Sequence, residues 1–448
     1  MNFQDYFKNK KVTLMRIGLL GRGVGDAAFL AEMGAEVLVV DDASQEVMQP
    51  SVDALQEYDN IKFKFGPYDT DDFTSCDFVL VGAGTPMDLP ALAAAKKAGV
   101  VLKQSAALFA ELSGVPIIGV TGTRGKSTTT HMIHHVLSQA TDGQVLLGGN
   151  VRGLSNLQLL KEVKEDSLAV MELDSWQLQG FGWAKISPQV AVFTNFMEDH
   201  LNYYQAGGRS REEAMDLYFG DKANIFRYQE ESGVLVTIPA VFERAKKLAG
   251  LTLGQEVVLV DDSVIPEDTL LAMPGQHNRL NAALACEALR ATGLEDEEIF
   301  AGLASFPGVE GRLEYLGEIE GVKIYNDNNA TTPQATVMGL QAVGNIDTKN
   351  VILIAGGAYK EVDPQVLVDE IPKYCKQVVL LAGTGTDMLK DRIETEVVGS
   401  VEEAVKAGLA SGQPGDILLF SPGFASFGMF KNEYERNDEF VSIIRSLE

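Results

Sequence analysis

The stretch 119–130 reads GVTGTRGKSTTT, and its glycines, lysine and hydroxyls are spaced to wrap an anion. Gly122 and Gly125 let backbone N–H groups close on phosphate oxygens, with Thr123 between them. Lys126 reaches the outer phosphates, Ser127 is placed to ligate Mg²⁺, and Thr128 follows in the first helical turn. Such a cradle has to join a buried strand to a helix N-terminus. The apolar run 115–120 supplies the strand, and Ser127 opens a helix running towards Ala140. The pattern G-x-x-x-x-G-K-[ST] would need glycine at 120, where Val120 stands, so a plain strand–turn–helix is the bland alternative. A nucleoside triphosphate is the expected ligand.

A bound triphosphate calls for Mg²⁺, which takes oxygen ligands. Glu172 intrudes into the apolar strand 168–173, and a carboxylate there is costly unless it faces a cation. Of the five histidines, His131, His134 and His135 lie on the cradle helix and read as packing or solvent-facing. His200 and His277 stand in polar, turn-rich motifs. Lys222, on a helical stretch, reads by itself as a solvated lysine.

Two further glycine turns follow strands in the first part of the chain. Gly21-Arg22-Gly23-Val24-Gly25 comes after a strand at 13–20 and before a helix at 26–33. Gly82-Ala83-Gly84-Thr85 comes after a strand at 77–81, and Asp41-Asp42 closes a strand at 36–40. Open α/β sheets bind ligands at such strand ends, but Asp26 stands where a G-x-G-x-x-G pattern needs its third glycine, which weakens a dehydrogenase reading.

At 448 residues the chain is long enough for about three domains. Its 46% hydrophobic and 22% charged residues describe a globular protein. No apolar run approaches the ~18 residues of a spanning helix, and the first residues lack the apolar centre of a signal peptide, so the cytoplasm is the expected compartment. A net charge of −26 opposes nucleic-acid or acidic-membrane binding, and three scattered cysteines read as structural thiols. Strand–helix alternation predicts an α/β fold of three domains: 1–112 Rossmann-like, 113–311 a P-loop ATPase-like, mostly parallel sheet, and 312–448 Rossmann-like again, with strands at 322–325, 351–354, 377–381 and 417–420.

T-G-T-R-G-K-S-T at 121–128, E-L-D-S-W-Q-L at 172–178, E-D-H at 198–200, Lys222, G-Q-H-N at 275–278, G-R-L-E at 311–314 and N-D-N-N-A-T-T at 326–332 stand in the order and spacing of the Mur ligase superfamily, which the chain resembles over all three segments. Ser421-Pro422, Ala425-Ser426, Phe430-Lys431-Asn432 and Phe440 are similar to the C-terminal signature of its D-glutamate-adding members.

The resemblance implies a monomeric ATP-dependent amide ligase of peptidoglycan precursor synthesis, joining D-glutamate to UDP-N-acetylmuramoyl-L-alanine through an acyl phosphate. It implies two Mg²⁺ ions, the first held by Ser127 and Glu172, the second served by His200 and Lys222, with Lys222 carbamylated. Lys126 and Asn150 would face the transferring phosphate, Asn278 and Arg312 the nucleotide, and Asp327 its ribose. The amino acid would meet Thr331, Lys360, Ser426 and Lys431. The UDP-sugar would meet Gly21, Gly23, Gly84 and Thr85 near its diphosphate and Asp41 near uracil.

The chain departs from the family pattern at Arg124, usually asparagine, at Asp174, usually serine, at Asn329, usually lysine, and at Glu433, often aromatic. These positions leave open L-glutamate or another amino acid as substrate, a folylpolyglutamate-type acceptor, or a nucleotide-binding relative without catalysis.

Overall fold

A computed structural model describes residues 3–19, 21–248, 253–267, 269, 271–360 and 362–447. Its contacts divide the chain into two compact units, Met1–Pro266 with Asn281–Gly302, and Glu267–Leu280 with Leu303–Glu448.

The first unit holds two sheets. One has the strand order Ile61–Phe65, Glu36–Asp41, Lys11–Met15, Phe78–Val81, Val101–Lys103, parallel throughout. The other runs Glu256–Leu259, Val234–Thr237, Val190–Phe193, Ile117–Thr121, Leu168–Glu172, Val145–Gly149, also parallel. Ile117–Thr121 and Val190–Phe193 are buried at every residue, which is why they read as unbroken apolar runs: helices cover both faces of a parallel sheet. One apolar cluster, including Phe29, Leu112, Val115, Ile117 and Phe193, runs through both sheets and joins them in a common core.

Among the element boundaries that differ from the sequence reading, two flank the first glycine turn. The strand expected at 13–20 ends at Met15, because Arg16 and Gly18 take left-handed backbone angles (φ 62° and 66°) that a strand cannot continue; Leu20 lies outside the described residues. The next helix is Arg22–Glu32, starting four residues before the expected 26, since Gly21 turns the chain with φ 85° at its N-cap.

The second unit holds a six-stranded sheet in the order Glu314–Ile319, Val322–Asn326, Ile417–Phe420, Val351–Gly356, Cys375–Leu381, Glu396–Val398. Only the first pair is antiparallel, a hairpin turning at Gly321. Alternation sorts the central strands by face. Val351, Leu353 and Leu419 pack with Leu340 and Leu367 on one side, while Ile352, Ile354, Leu418 and Phe420 pack with Val405, Phe440 and Ile444 on the other. Among the described residues no helix is long and apolar enough to cross a membrane.

The helix Glu433–Leu447 buries an arginine on the face that carries Phe440 and Ile444. Arg436 is 1% exposed, and its guanidinium donates to the side-chain oxygen of Asn328 (2.8 Å), the Asn328 carbonyl (3.0 Å) and the Phe424 carbonyl (3.3 Å). Burial pushes its pKa down to about 10. Removing the cation would strand three buried acceptors. Arg436→Met is therefore expected to lower the unfolding free energy of this unit by about 2–4 kcal/mol, read from the urea midpoint; an unchanged midpoint contradicts the assignment.

Candidate functional site

The cradle lies at the C-terminal end of Ile117–Thr121, and the helix Lys126–Ala140 leaves it directly. That helix begins one residue before the expected Ser127, with Gly125 as a left-handed N-cap that carries no capping side chain, and its N-terminus faces the loop with the positive end of its dipole. Both cradle glycines are forced. A Cβ at Gly122 (φ 145°) would sit 2.0 Å from Thr194 Oγ1, and one at Gly125 (φ 81°) 2.3 Å from Asn281 Oδ1.

The loop is sewn to the end of the neighbouring strand. Thr123 N donates to the Asn195 carbonyl (3.0 Å), Arg124 N to Asn195 Oδ1 (2.9 Å), Thr194 Oγ1 to the Arg124 carbonyl (2.5 Å), and Met197 N to Thr123 Oγ1 (2.9 Å). Sequence reasoning missed Thr194, Asn195 and Asn281. Only the polar run directly after the apolar strand 189–193 signalled the first two.

Lys126 and Lys222 meet at this loop. Lys126 Nζ donates to the carbonyls of Gly122 (3.1 Å) and Thr123 (3.2 Å), and Lys222 Nζ donates to the same Gly122 carbonyl (2.7 Å) and sits 5.0 Å from the centre of the Tyr218 ring. Far from being a solvated lysine, Lys222 is 1% exposed. Burial, and then the Lys126 charge, hold its pKa well below the ordinary lysine range, against the pull of Asp174, Asp199 and Glu172.

Glu172 ends its strand level with Val120 and Gly149 on the flanking strands. It is 4% exposed, and no hydrogen bond or ion pair reaches its carboxylate among the described residues. Asn150 follows at once, its N–H donating to the Glu172 carbonyl (2.7 Å). His200 lies against Trp176 with ring centres 4.6 Å apart and the planes tilted by 54°, beside Asp199 (3.9 Å). Burial lowers its pKa, so the imidazole is the neutral form that ligates metals. Arg124 faces Asp199 (3.3 Å), while Asp174 caps the helix Ser175–Ala184.

Among the described residues no three His, Cys, Asp or Glu side chains converge as a preformed metal cage. The residues nonetheless fit Mg²⁺: an unpaired buried carboxylate at Glu172 and the hydroxyl of Ser127 beside a phosphate cradle match an ion that keeps waters and takes phosphate oxygens.

The first-sheet candidates lie in the same unit. Gly21 caps the helix Arg22–Glu32, and a Cβ on Gly23 would sit 2.1 Å from the Ile17 carbonyl. Gly84 packs against the Trp176 ring, the Thr85 carbonyl accepts from the Tyr203 hydroxyl (3.0 Å), and Asp41 Oδ1 accepts from Ala43 N (3.0 Å). Gln179 and Tyr204 both donate to Asp221, whose carboxyl burial pushes up to about 6, next to Lys222.

The second unit carries the remaining candidates. Lys360 Nζ donates to Thr331 Oγ1 (3.1 Å), Ser426 is buried and Lys431 is exposed. Asp327 accepts from Ser421 Oγ (2.8 Å) and Leu313 N (3.3 Å), and burial pushes it up to about 7. Arg312 follows the Val309 turn, and Asn278 donates to the Pro274 carbonyl (2.8 Å). Arg436, buried behind Asn328, was not foreseen; the spacing of Arg436, Phe440 and Ile444 on one helix face is the signal that marks it.

The family model of the Mur ligase middle domain matches residues 120–253, and that of the Mur ligase glutamate ligase domain residues 311–424. The UDP-N-acetylmuramoylalanine–D-glutamate ligase of Roseiflexus sp. is 32% identical over 98% of this chain and 98% of its own length. That of Geobacillus kaustophilus is 33% identical over 99% of each. The chain belongs to the Mur ligase family. Two solved Mur ligases of Thermotoga maritima share its fold: the UDP-N-acetylmuramate–alanine ligase (20% identity, 98% of this chain and 100% of that one, TM-score 0.59) and the MurF ligase in complex with ADP (16% identity, 99% and 96%, TM-score 0.60).

In this Mur ligase, Gly125→Ala adds a methyl that meets Asn281 in a backbone conformation alanine resists. ATP affinity measured by calorimetry is expected to fall about 10-fold or more while the circular dichroism spectrum is retained; wild-type affinity would show that the cradle does not hold the phosphates.

Proposed function

We propose that the chain joins D-glutamate to UDP-N-acetylmuramoyl-L-alanine at the expense of ATP, giving the amide, ADP and phosphate. The observation that carries this reading is the full-length similarity to ligases named for that reaction, together with a cradle whose lysines, carboxylate and imidazole suit phosphoryl transfer. The ADP held by the solved MurF ligase of Thermotoga maritima supports adenine nucleotide as the ligand.

The reaction needs two steps, because a free carboxylate does not acylate an amine. An oxygen of the substrate carboxylate attacks the γ-phosphorus, the bond to the β-phosphate oxygen breaks, and ADP departs from a mixed anhydride. The amine nitrogen of glutamate then attacks the acyl carbon, phosphate leaves with the C–O bonding pair, and the nitrogen gives up a proton. Position and charge neutralisation govern such transfers.

In this reading the amides of 125–127 and Lys126 grip the β- and γ-oxygens, and Asn150 donates to the transferring group. Ser127 and Glu172 hold one Mg²⁺, with His200 and Lys222 at a second. Bound there, the ions neutralise phosphate charge. The lowered pKa of Lys222 supports its modification, since only the neutral amine can attack CO₂; the nitrogen lone pair forms the N–C bond as one C=O π pair moves onto oxygen, one N–H proton passes to water, and a carboxylate oxygen takes the place of the amine as a metal ligand.

Residues 1–112 are the UDP-sugar domain of this reading, through Gly21, Gly23, Asp41, Gly84 and Thr85; 113–311 is the ATP domain and 312–448 the amino-acid domain. Asn278, Arg312 and Asp327 are the second unit's nucleotide contacts, and Thr331, Lys360, Ser426 and Lys431 its amino-acid contacts. The Lys360–Thr331 hydrogen bond supports the last group.

A panel of amino acids tests this, with phosphate release from ATP followed in the presence of UDP-N-acetylmuramoyl-L-alanine. D-glutamate is expected to raise the rate about 100-fold or more over background and Lys126→Ala to abolish it. Stimulation by L-glutamate alone would move the assignment to the other enantiomer, and no stimulation by either would refute it.

A further inference from the structure

One helix of the first unit is fastened along its length to the segment that follows the strand Val145–Gly149. On Arg22–Glu32, the Arg22 guanidinium donates to Asn150 Oδ1. One turn on, Gln158 Nε2 donates to the Gly25 carbonyl (3.1 Å), and a Cβ on Gly25 would lie 2.6 Å from that of Ser155. Asp26, fully buried, accepts from Ser155 Oγ (2.6 Å) and Leu157 N (3.3 Å), and at the far end Glu32 pairs with Lys161. The presence of Asp26 at the position of the third glycine thus has a local reason: it anchors this segment. So many ties leave the helix and the segment little freedom to slide past each other.

Asn150 stands where that anchoring meets the cradle. Gly149 and Glu172 are paired in register, as are Glu172 and Val120, so Asn150 leaves its strand one residue beyond the level of the metal-binding carboxylate and one residue before that of Gly122. Its backbone is pinned by the bond to the Glu172 carbonyl, and Gly149 passes so close that a Cβ there would overlap that oxygen. What the backbone leaves undecided is which end of the amide faces which way. A guanidinium has donors only, so it accepts nothing from Nδ2 and holds Oδ1 against itself. The donor end of Asn150 is thereby kept on the side away from Arg22.

We infer that Arg22 is a positioning residue for Asn150: it locks the side-chain amide in the one orientation that offers a hydrogen-bond donor, and not an acceptor, to the terminal phosphate of the bound triphosphate. This rests on the reading of Asn150 given above. Without Arg22 the amide can turn over, and an oxygen lone pair facing a phosphate oxygen is repulsive. On this inference loss of Arg22 acts on the nucleotide through Asn150. An Arg22 that merely bound the sugar diphosphate would be independent of it.

The test measures binding of β,γ-methylene-ATP with Mg²⁺ by calorimetry, and kcat with each KM, for Asn150→Ala, Arg22→Met, Arg22→Lys and the double variant Asn150→Ala/Arg22→Met. Asn150→Ala should weaken nucleotide binding and lower kcat by about 10-fold or more, and Arg22→Met should do the same to a similar extent. The double variant should be no worse than either single one, and Arg22→Lys, which keeps a donor, should stay within about 3-fold of wild type. If Asn150→Ala changes nothing, the phosphate role of Asn150 falls and the inference with it. If Asn150→Ala acts but Arg22→Met raises only the KM for the UDP-sugar, or if the two effects multiply in the double variant, Arg22 does not position Asn150 and the inference alone is overturned.

Discussion

Two lysine amino groups share one carbonyl oxygen in the first unit. Lys126 and Lys222 both donate to Gly122 O, from a helix that begins at the cradle and from one that packs beside it. Burial first, and then the Lys126 charge, disfavour a second ammonium here, while the nearby Asp174, Asp199 and Glu172 pull the other way, and the net shift is downward. The pocket is therefore built to gain when negative charge enters. A polyphosphate supplies such charge, and so does conversion of Lys222 to a carbamate. The glycine backbone at 122 and 125, the stitching of 123–124 to 194–197 and the Tyr218 ring under Lys222 all hold the two amino groups at this loop.

That arrangement reaches outward through rigid elements. The helix Arg211–Ala223 carries Tyr218, Asp221 and Lys222 in its last two turns, so the residue under the lysine, the lysine and a buried acid move together. Gln179, bonded to both Asp221 and the Tyr203 hydroxyl, and Tyr203, bonded in turn to the Thr85 carbonyl, carry the connection to the second glycine turn of the first sheet. Trp176 fills the space between Gly84 and His200. The sheet that would receive the sugar nucleotide is thus in direct contact with the residues around the phosphates, within one apolar core.

Much of this was legible before any coordinates. Parallel sheets buried on both faces leave unbroken apolar runs, and glycines fixed by close approach leave a countable pattern, so the cradle, Glu172 at its strand end and the α/β class could be read directly. Lys222 could not: a lysine on a polar helix looks solvated, and only the family pattern singled it out before the fold placed it against Gly122. Arg436 was missed for the same reason, since its burial depends on the partner face of a sheet far away in sequence. The edge at 13–20 was read too long because left-handed Arg16 has no signature in residue type. Asp26 looked like a defect in a glycine motif and is instead a buried anchor for Ser155 and Leu157.

The state of Lys222 in solution tests the central claim most directly. With ¹³C- and ¹⁵N-labelled lysine and ¹³CO₂, nuclear magnetic resonance distinguishes an ammonium, a neutral amine and a carbamate at this position, Lys222→Met assigning the signal. Burial and crowding by Lys126 predict that the group gives up its proton well below the ordinary lysine range, as a neutral amine or a carbamate, and that Lys126→Met shifts it back towards the ammonium. An ammonium that titrates in the ordinary lysine range, and that ignores the loss of Lys126, would contradict the account.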